Sequence, residues 1–157
     1  MQKILTTSAA IATILALASP AFADGDAKKG AKIFKKCKAC HSITSPDGDK
    51  IQRGGRTGPD LYGVIGRQAG TYEGFKYSKV MIESGEKGLV WNQEELTAYL
   101  PDPTKYLDEM SDDSGRSKMT FKLRKGGEDV AAYLATFSPE PADDEAKSDD
   151  SDSGDSN

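Results

Sequence analysis

The pentapeptide Cys37-Lys38-Ala39-Cys40-His41 constrains this chain most, because it contains both cysteines and the only histidine of the 157 residues. Two cysteines and one histidine are one side chain short of a zinc site built from four such ligands. Two cysteines also exclude a disulfide-dense scaffold. A thioredoxin-like redox pair needs a β-α-β setting, and the flanking sequence shows none.

The C-x-x-C-H spacing is instead the attachment pattern of haem c. The two thiols can add to the two vinyl groups of one haem, and the adjacent imidazole is then placed to ligate the iron. We therefore expect Cys37 and Cys40 to form thioethers and His41 to be an axial ligand. The expected cofactor is one covalently attached haem c.

Residues 1–23 have the pattern of a cleaved secretory signal peptide. Lys3 is followed by the apolar run Ile11–Leu17, and Ala21-Phe22-Ala23 resembles a signal-peptidase site. The alternative is an uncleaved membrane anchor, but the apolar run is short for a span. We expect a protein without a membrane anchor, exported to the bacterial periplasm.

Residues 138–157 form an acidic tail with eight acids, one lysine and no aromatic or β-branched residue. Such a segment cannot bury enough surface to offset its ordering entropy, so we expect disorder. The chain has 25 acids and 21 bases, which leaves residues 24–137 with 17 acids and 19 bases, a net charge of +2 against −7 for the tail. The acidic total argues against a nucleic-acid partner, and the domain itself is nearly neutral.

Residues 24–137 are expected to form one all-α domain of three or more helices. Apolar residues at helical spacing predict helices over 26–40, from Asn92 to Pro101, and over 128–137. Asp26 and Asn92 are the predicted N-caps, and Glu95 is placed to complete a capping box with Asn92.

Long glycine-rich segments connect these helices, and no strand is predicted. Residues 42–56 and 107–116 are two of these expected loops. Long structureless loops in a small domain indicate either that the loops are functional or that something else supplies part of the interior. A large apolar cofactor would do so.

The sixth iron ligand decides what such a haem does. An open site binds or activates small molecules, whereas histidine and methionine together close the iron for electron transfer. No second histidine exists, and Met81, Met110 and Met119 are the methionines that follow the signal. Each could equally be a flexible core residue, and spacing does not choose among them.

A series of further motifs, in one order along residues 24–137, resembles class I c-type cytochromes. The resemblance is greatest to the bacterial cytochrome c2 and c550 group. Its motifs are Gly30-x-x-x-Phe34, the C-x-x-C-H pentapeptide, Thr57-Gly58-Pro59-Asp60-Leu61-Tyr62-Gly63, Gly66-Arg67, Gly74-Phe75-x-Tyr77, Trp91, Tyr99-Leu100-x-x-Pro103, Lys118-Met119-Thr120-Phe121 and Tyr133-Leu134.

The resemblance implies the cytochrome c fold, in which N- and C-terminal helices cross and long loops wrap around one haem. Gly30 and Phe34 would pack against Tyr133 and Leu134 at that crossing. Met119 would be the distal axial ligand, with Met110 its main competitor.

The resemblance also implies roles around the haem. The carbonyl of Pro59 would accept a hydrogen bond from His41, and the Tyr99 hydroxyl would lie near the methionine sulfur. Ser117 stands where the family more often has threonine. The residues expected to hold a buried propionate are Arg67, Tyr77 and Trp91.

Lysines near these motifs are expected to form a positive ring for docking to acidic sites on membrane redox complexes. Those expected to dock are Lys35, Lys36, Lys38, Lys118 and Lys122. The chain would then be a soluble, monomeric, periplasmic one-electron carrier and not an enzyme. It would take electrons from a bc1-type complex and deliver them to an oxidase, a reductase or a photosynthetic reaction centre.

The alternative function, from a different class, is that of a five-coordinate haem protein. Such a protein binds gases or acts as a weak peroxidase. The sequence separates the two only through the sixth ligand.

Overall fold

Five α-helices and one short hairpin make up the regular structure within residues 25–112 and 114–138, the parts of the chain that this computed structural model describes. A 3₁₀ helix, Phe34–Ala39, continues the first α-helix. In chain order the elements are α1 (Ala27–Ile33), β1 (Ile43–Thr44), β2 (Lys50–Gln52), α2 (Lys79–Glu86), α3 (Gln93–Tyr99), α4 (Pro103–Met110) and α5 (Gly127–Ala135).

The N-terminal helix begins where the sequence predicts. The Asp26 carboxylate accepts hydrogen bonds from the backbone N–H groups of Lys28 and Lys29, at 2.9 and 3.1 Å. The helix is α-helical only to Ile33, and the tighter 3₁₀ segment leads into the C-x-x-C-H motif. A helix over 26–40 is therefore correct in extent but not in type throughout.

Helix α3 begins at its predicted cap. The Asn92 side chain accepts from the N–H of Glu95 at 2.7 Å. The Glu95 carboxylate accepts from the Tyr106 hydroxyl of α4. Of the predicted capping box, the hydrogen bond from the Glu95 N–H to Asn92 forms. The Glu95 side chain instead links α3 to α4.

Two helices, α2 and α4, are absent from the predicted set. Residues 107–116 were expected to be a loop, and that prediction is wrong for Leu107–Met110, which belong to α4. Pro103 occupies the first turn of α4 and Asp102 caps it, so this proline marks a helix start. The expected loop 42–56 contains the two antiparallel strands, paired with an irregularity next to Ile43.

The first and last helices cross closely, as predicted. A Cβ built on Gly30 would lie 1.9 Å from the carbonyl oxygen of Asp129, so only glycine allows this approach. The rings of Phe34 and Tyr133 pack with centroids 5.5 Å apart, and Phe34 is 1% exposed. Helix α3 also packs on α5. Cys37 is part of the same buried core, so the core lies beside the C-x-x-C-H segment.

The expected signal peptide, residues 1–23, and nearly all of the expected acidic tail lie outside the described residues. Ser138 is described, and its hydroxyl accepts from the N–H of Ile65 at 3.1 Å. Within 25–112 and 114–138, no helix has the length and apolar character needed to cross a bilayer.

Candidate functional site

A cavity of about 370 Å³ brings together most of the residues that the sequence singles out. Both cysteines, His41 and Met119 line it. Its apolar wall comes from helices and loops alike. Among the wall residues are Phe34, Leu61, Val64, Leu96, Leu100, Val130 and Leu134.

The cysteines stand at the end of the 3₁₀ helix, where the chain turns. The N–H groups of Cys40 and His41 both donate to the carbonyl of Cys37, at 3.0 and 2.9 Å. Cys37 is buried, Cys40 is exposed, and both thiols are unbridged. Burial, reinforced by Cys40, raises the pKa of Cys37 to about 11, so this thiol is neutral.

The imidazole of His41 is held from two sides. Its Nδ1 lies 2.8 Å from the carbonyl oxygen of Pro59. A Cβ built on Gly58 would lie 2.4 Å from Cε1, so the glycine backbone packs directly on the ring. Burial lowers the pKa of His41 despite the Pro59 hydrogen bond. The neutral ring, with Nδ1 occupied, leaves Nε2 as the nitrogen available to a metal.

Arg67 places a positive charge in the wall of the cavity. Its guanidinium donates to the carbonyl oxygen of Asp60 at 3.1 Å and to that of Tyr62. It also lies 4.8 Å over the Tyr72 ring. Within the described part of the chain no carboxylate forms a close ion pair with Arg67, although the Asp60 carboxylate attracts its charge from a longer distance. A half-buried cation without a direct carboxylate partner fits an acidic group bound in the cavity.

Tyr77 and Trp91 line the cavity beside Arg67. Burial raises the pKa of Tyr77, and the charge of Arg67 opposes that rise. The backbone of Trp91 is tied to this region because its N–H donates to the carbonyl of Arg67 at 2.9 Å. The structure therefore groups the three residues expected around a propionate.

A second polar pair lies beside the backbone of Met119. The hydroxyls of Tyr99 and Ser117 lie 3.2 Å apart, and both residues are buried. The N–H of Met119 donates to the Ser117 hydroxyl at 3.1 Å. Burial raises the pKa of Tyr99 to about 12, so its hydroxyl keeps its proton.

The three methionines differ in position. Met119 and Met81 line the cavity, whereas Met110 is not among the lining residues. Met110 packs against the core at the end of α4. The structure thus separates Met110 from the site and adds Met81 as a second cavity methionine.

The expected docking lysines are not equivalent. Lys36 and Lys118 line the cavity, Lys35 is exposed, and Lys38 is half-buried. Lys122 forms an ion pair with Asp102 at 2.6 Å, which partly compensates its charge.

Gly58 and Asp60 are functional candidates that received no role from the sequence, although both lie in the Thr57–Gly63 motif. The Asp60 carboxylate accepts three hydrogen bonds. In the sequence, the signal for these two residues was their position directly before and directly after Pro59. The contacts that make them functional candidates involve residues 16 to 18 positions away.

The donor set fits haem c. Two unbridged thiols, a neutral imidazole, a methionine and a guanidinium without a close ion pair share one apolar cavity. Thiols suit covalent attachment, the imidazole and thioether suit iron, and the guanidinium suits a propionate.

Comparisons with known proteins agree with this fit. The family model for cytochrome c matches residues 27–138. The chain is 54% identical to cytochrome c2 of Rhodobacter capsulatus over 136 residues, covering 86% of this chain and 98% of the relative. It is 51% identical to cytochrome c-550 of Paracoccus denitrificans, covering 83% and 86% of the two chains.

Solved structures give the same result. The X-ray structure of cytochrome c2 from Paracoccus denitrificans superposes with a TM-score of 0.72 at 51% identity, covering 75% of this chain and all of that chain. The predicted resemblance and the cytochrome c fold are therefore confirmed. The chain belongs to the cytochrome c family, whose members are electron carriers rather than enzymes and bind one haem c covalently.

Proposed function

We propose that this chain is a periplasmic one-electron carrier between a bc1-type quinol oxidoreductase and a terminal acceptor. The acceptor would be an oxidase, a reductase or a photosynthetic reaction centre. The observation that carries the proposal is the single cavity that holds both thiols, the fixed imidazole of His41 and Met119. The periplasmic location rests on the signal-like residues 1–23.

In this proposal Cys37 and Cys40 hold the haem as thioethers, and His41 and Met119 ligate its iron. When bound, the haem supplies an iron that alternates between ferric and ferrous states. The hydrogen bond to Pro59 fixes the tautomer and orientation of His41 and makes its ring a stronger donor.

The remaining cavity residues hold and insulate the group. Arg67 offers its positive charge to a propionate, with Tyr77 and Trp91 beside it. Tyr99 and Ser117 form a hydrogen-bonded pair that orders the backbone of Met119. With two protein ligands, the iron has no open position for a substrate.

Docking would use the lysines around the cavity. Four of these lysines make no ion pair within the described residues, so their positive charges are available to an acidic partner. They are Lys35, Lys36, Lys38 and Lys118. Lys122 would contribute less because Asp102 already pairs with it. Attraction of this kind raises association rates and weakens with salt.

The methionine assignment gives the sharpest test. The ferric holoprotein should show the weak far-red band of sulfur–iron ligation, and the ferrous protein should bind carbon monoxide poorly at neutral pH. A Met119→Ala variant should lose the band and gain ligand binding. Met110→Ala, outside the cavity, and Met81→Leu, inside it but conservative, are matched controls that should keep the band.

Two outcomes would contradict the assignment. If Met110→Ala or Met81→Leu loses the band while Met119→Ala keeps it, the methionine replaced in that variant is the ligand. Rapid carbon monoxide binding by the unmodified protein would favour the five-coordinate alternative. Reconstitution with membranes then tests the partners: a bc1-containing membrane should reduce the ferric protein, at a rate that falls as salt is added.

A further inference from the structure

The Asp60 carboxylate joins the two chain segments that meet at His41. Its Oδ2 accepts from the hydroxyl of Ser42 at 2.7 Å, and Ser42 directly follows His41. Its Oδ1 accepts from the N–H groups of Thr44 and Tyr62, at 3.1 and 2.9 Å. One side chain therefore binds the segment after the histidine and the loop that contains Pro59.

The backbone of Asp60 makes a further hydrogen bond. Its carbonyl oxygen accepts from the Arg67 guanidinium at 3.1 Å, while the preceding carbonyl, of Pro59, meets His41 Nδ1. Two consecutive carbonyls thus serve the histidine and the arginine of the site. Their directions depend on the same stretch of backbone that the carboxylate anchors.

The charge state of Asp60 agrees with this geometry. Burial raises the pKa of this carboxyl, but the hydrogen bonds from Ser42, Tyr62 and Thr44 outweigh burial and leave it below its ordinary value. The group is therefore an anion at neutral pH, and its charge also reaches the imidazole of His41.

We propose that Asp60 is a positioning residue: its carboxylate clamps the Pro59 loop onto the segment after His41, holds the Pro59 carbonyl on the imidazole, and so lowers the reduction potential of the haem. The inference rests on the proposed role of His41 as an axial ligand. A carbonyl on Nδ1–H makes the imidazole a stronger donor, which favours ferric iron. The carboxylate charge favours the ferric state in the same direction.

Three variants of the full-length holoprotein separate the clamp from the charge. Asp60→Asn removes the charge but keeps a hydrogen-bonding side chain of the same shape. Asp60→Ala removes both. Ser42→Ala removes only the bond to Oδ2 and leaves the charge. Asp47→Asn is the matched control, since this exposed acid undergoes the same charge change without contacting the site.

The readouts are the midpoint potential and the hydrogen-exchange rate of His41 Nδ1–H, measured by NMR in the ferrous state. In Asp60→Ala the exchange rate should rise about fivefold to tenfold, the effect of losing roughly one net hydrogen bond, and the potential should rise. Ser42→Ala should raise both the exchange rate and the midpoint potential, but by less than Asp60→Ala. Asp60→Asn should raise the potential with little change in exchange, and Asp47→Asn should change neither.

Two results would overturn the proposal. One is an unchanged exchange rate of the His41 Nδ1–H in Asp60→Ala. If that variant does not fold, the same result in Ser42→Ala overturns the proposal. The other is a rise in potential in Asp47→Asn as large as in Asp60→Asn. Failure of the proposed function would appear first in the unmodified protein, as a missing far-red band. With the band present, unchanged variants refute the role of Asp60 alone.

Discussion

Substitution of Gly58 by alanine tests how tightly the loop holds His41. The added methyl carbon would lie 2.4 Å from Cε1, 2.7 Å from Nδ1 and 2.9 Å from Nε2 of the ring. Ordinary contact begins near 3.4 Å, so the ring or the loop must move by about 1 Å. The ring cannot rotate freely, because Nδ1 is bonded to Pro59.

The expected cost combines two effects. Forcing an extra carbon into a filled site costs about 1–3 kcal/mol. A 1 Å displacement also disrupts the 2.8 Å bond between His41 and Pro59, which is worth about 0.5–1.5 kcal/mol net. We expect Gly58→Ala to lose about 2–4 kcal/mol of unfolding free energy and the His41 Nδ1–H to exchange faster.

Denaturant unfolding of the holoprotein measures the loss, and NMR of the ring measures the displacement. Gly127→Ala is the matched control. Its added carbon would have no described neighbour nearer than 3.5 Å, and it would sit at the start of α5, where alanine is the better helix former. The control should be neutral or stabilising by up to about 1 kcal/mol. A Gly58→Ala protein as stable as the control, with unshifted ring signals, would refute the reasoning.

Three further predictions concern other parts of the chain. Gly30→Ala should destabilise at least as much as Gly58→Ala in the same unfolding assay, because its methyl would meet the Asp129 carbonyl at 1.9 Å and backbone cannot retreat like a side chain. Converting the eight acids after Ser138 to amides should leave unfolding unchanged but steepen the salt dependence of electron transfer to an acidic partner; an unchanged slope would dismiss any role of the tail in docking. Since the pKa of Asp60 is lowered on folding, its contribution to stability should be complete above its ordinary pKa and lost as pH falls through the lowered value, so Asp60→Asn should flatten the acid limb of a stability-against-pH curve.

Sequence reasoning located the features whose signals are local. The C-x-x-C-H motif occupies five consecutive residues, and the caps Asp26 and Asn92 act within three residues of themselves. The all-α fold, the family and the haem followed from such signals and are confirmed. The roles of individual site residues stay predictions, although the cavity gathers most of them.

The missed features depend on distant contacts or on signals with two meanings. A proline can stop one helix or start the next, and Pro103 starts α4. Helix α2 contains Gly85 in its last turn, which weakens its pattern, yet a Cβ there would lie 2.0 Å from the carbonyl oxygen of Ala69. Packing against residue 69 therefore requires the glycine that made the helix hard to predict.

The loop from Thr57 to Arg67 shows why a segment without regular secondary structure can govern the site. It supplies the glycine against His41, the carbonyl on Nδ1 and the arginine that faces the cavity. Its hydrogen bonds run to the segments beside the C-x-x-C-H motif: the N–H of Gly58 donates to Cys40 and that of Leu61 to Ser42, both at 2.9 Å. The loop and the motif therefore fix each other, and a change in either should be felt at the imidazole before it is felt in the helices.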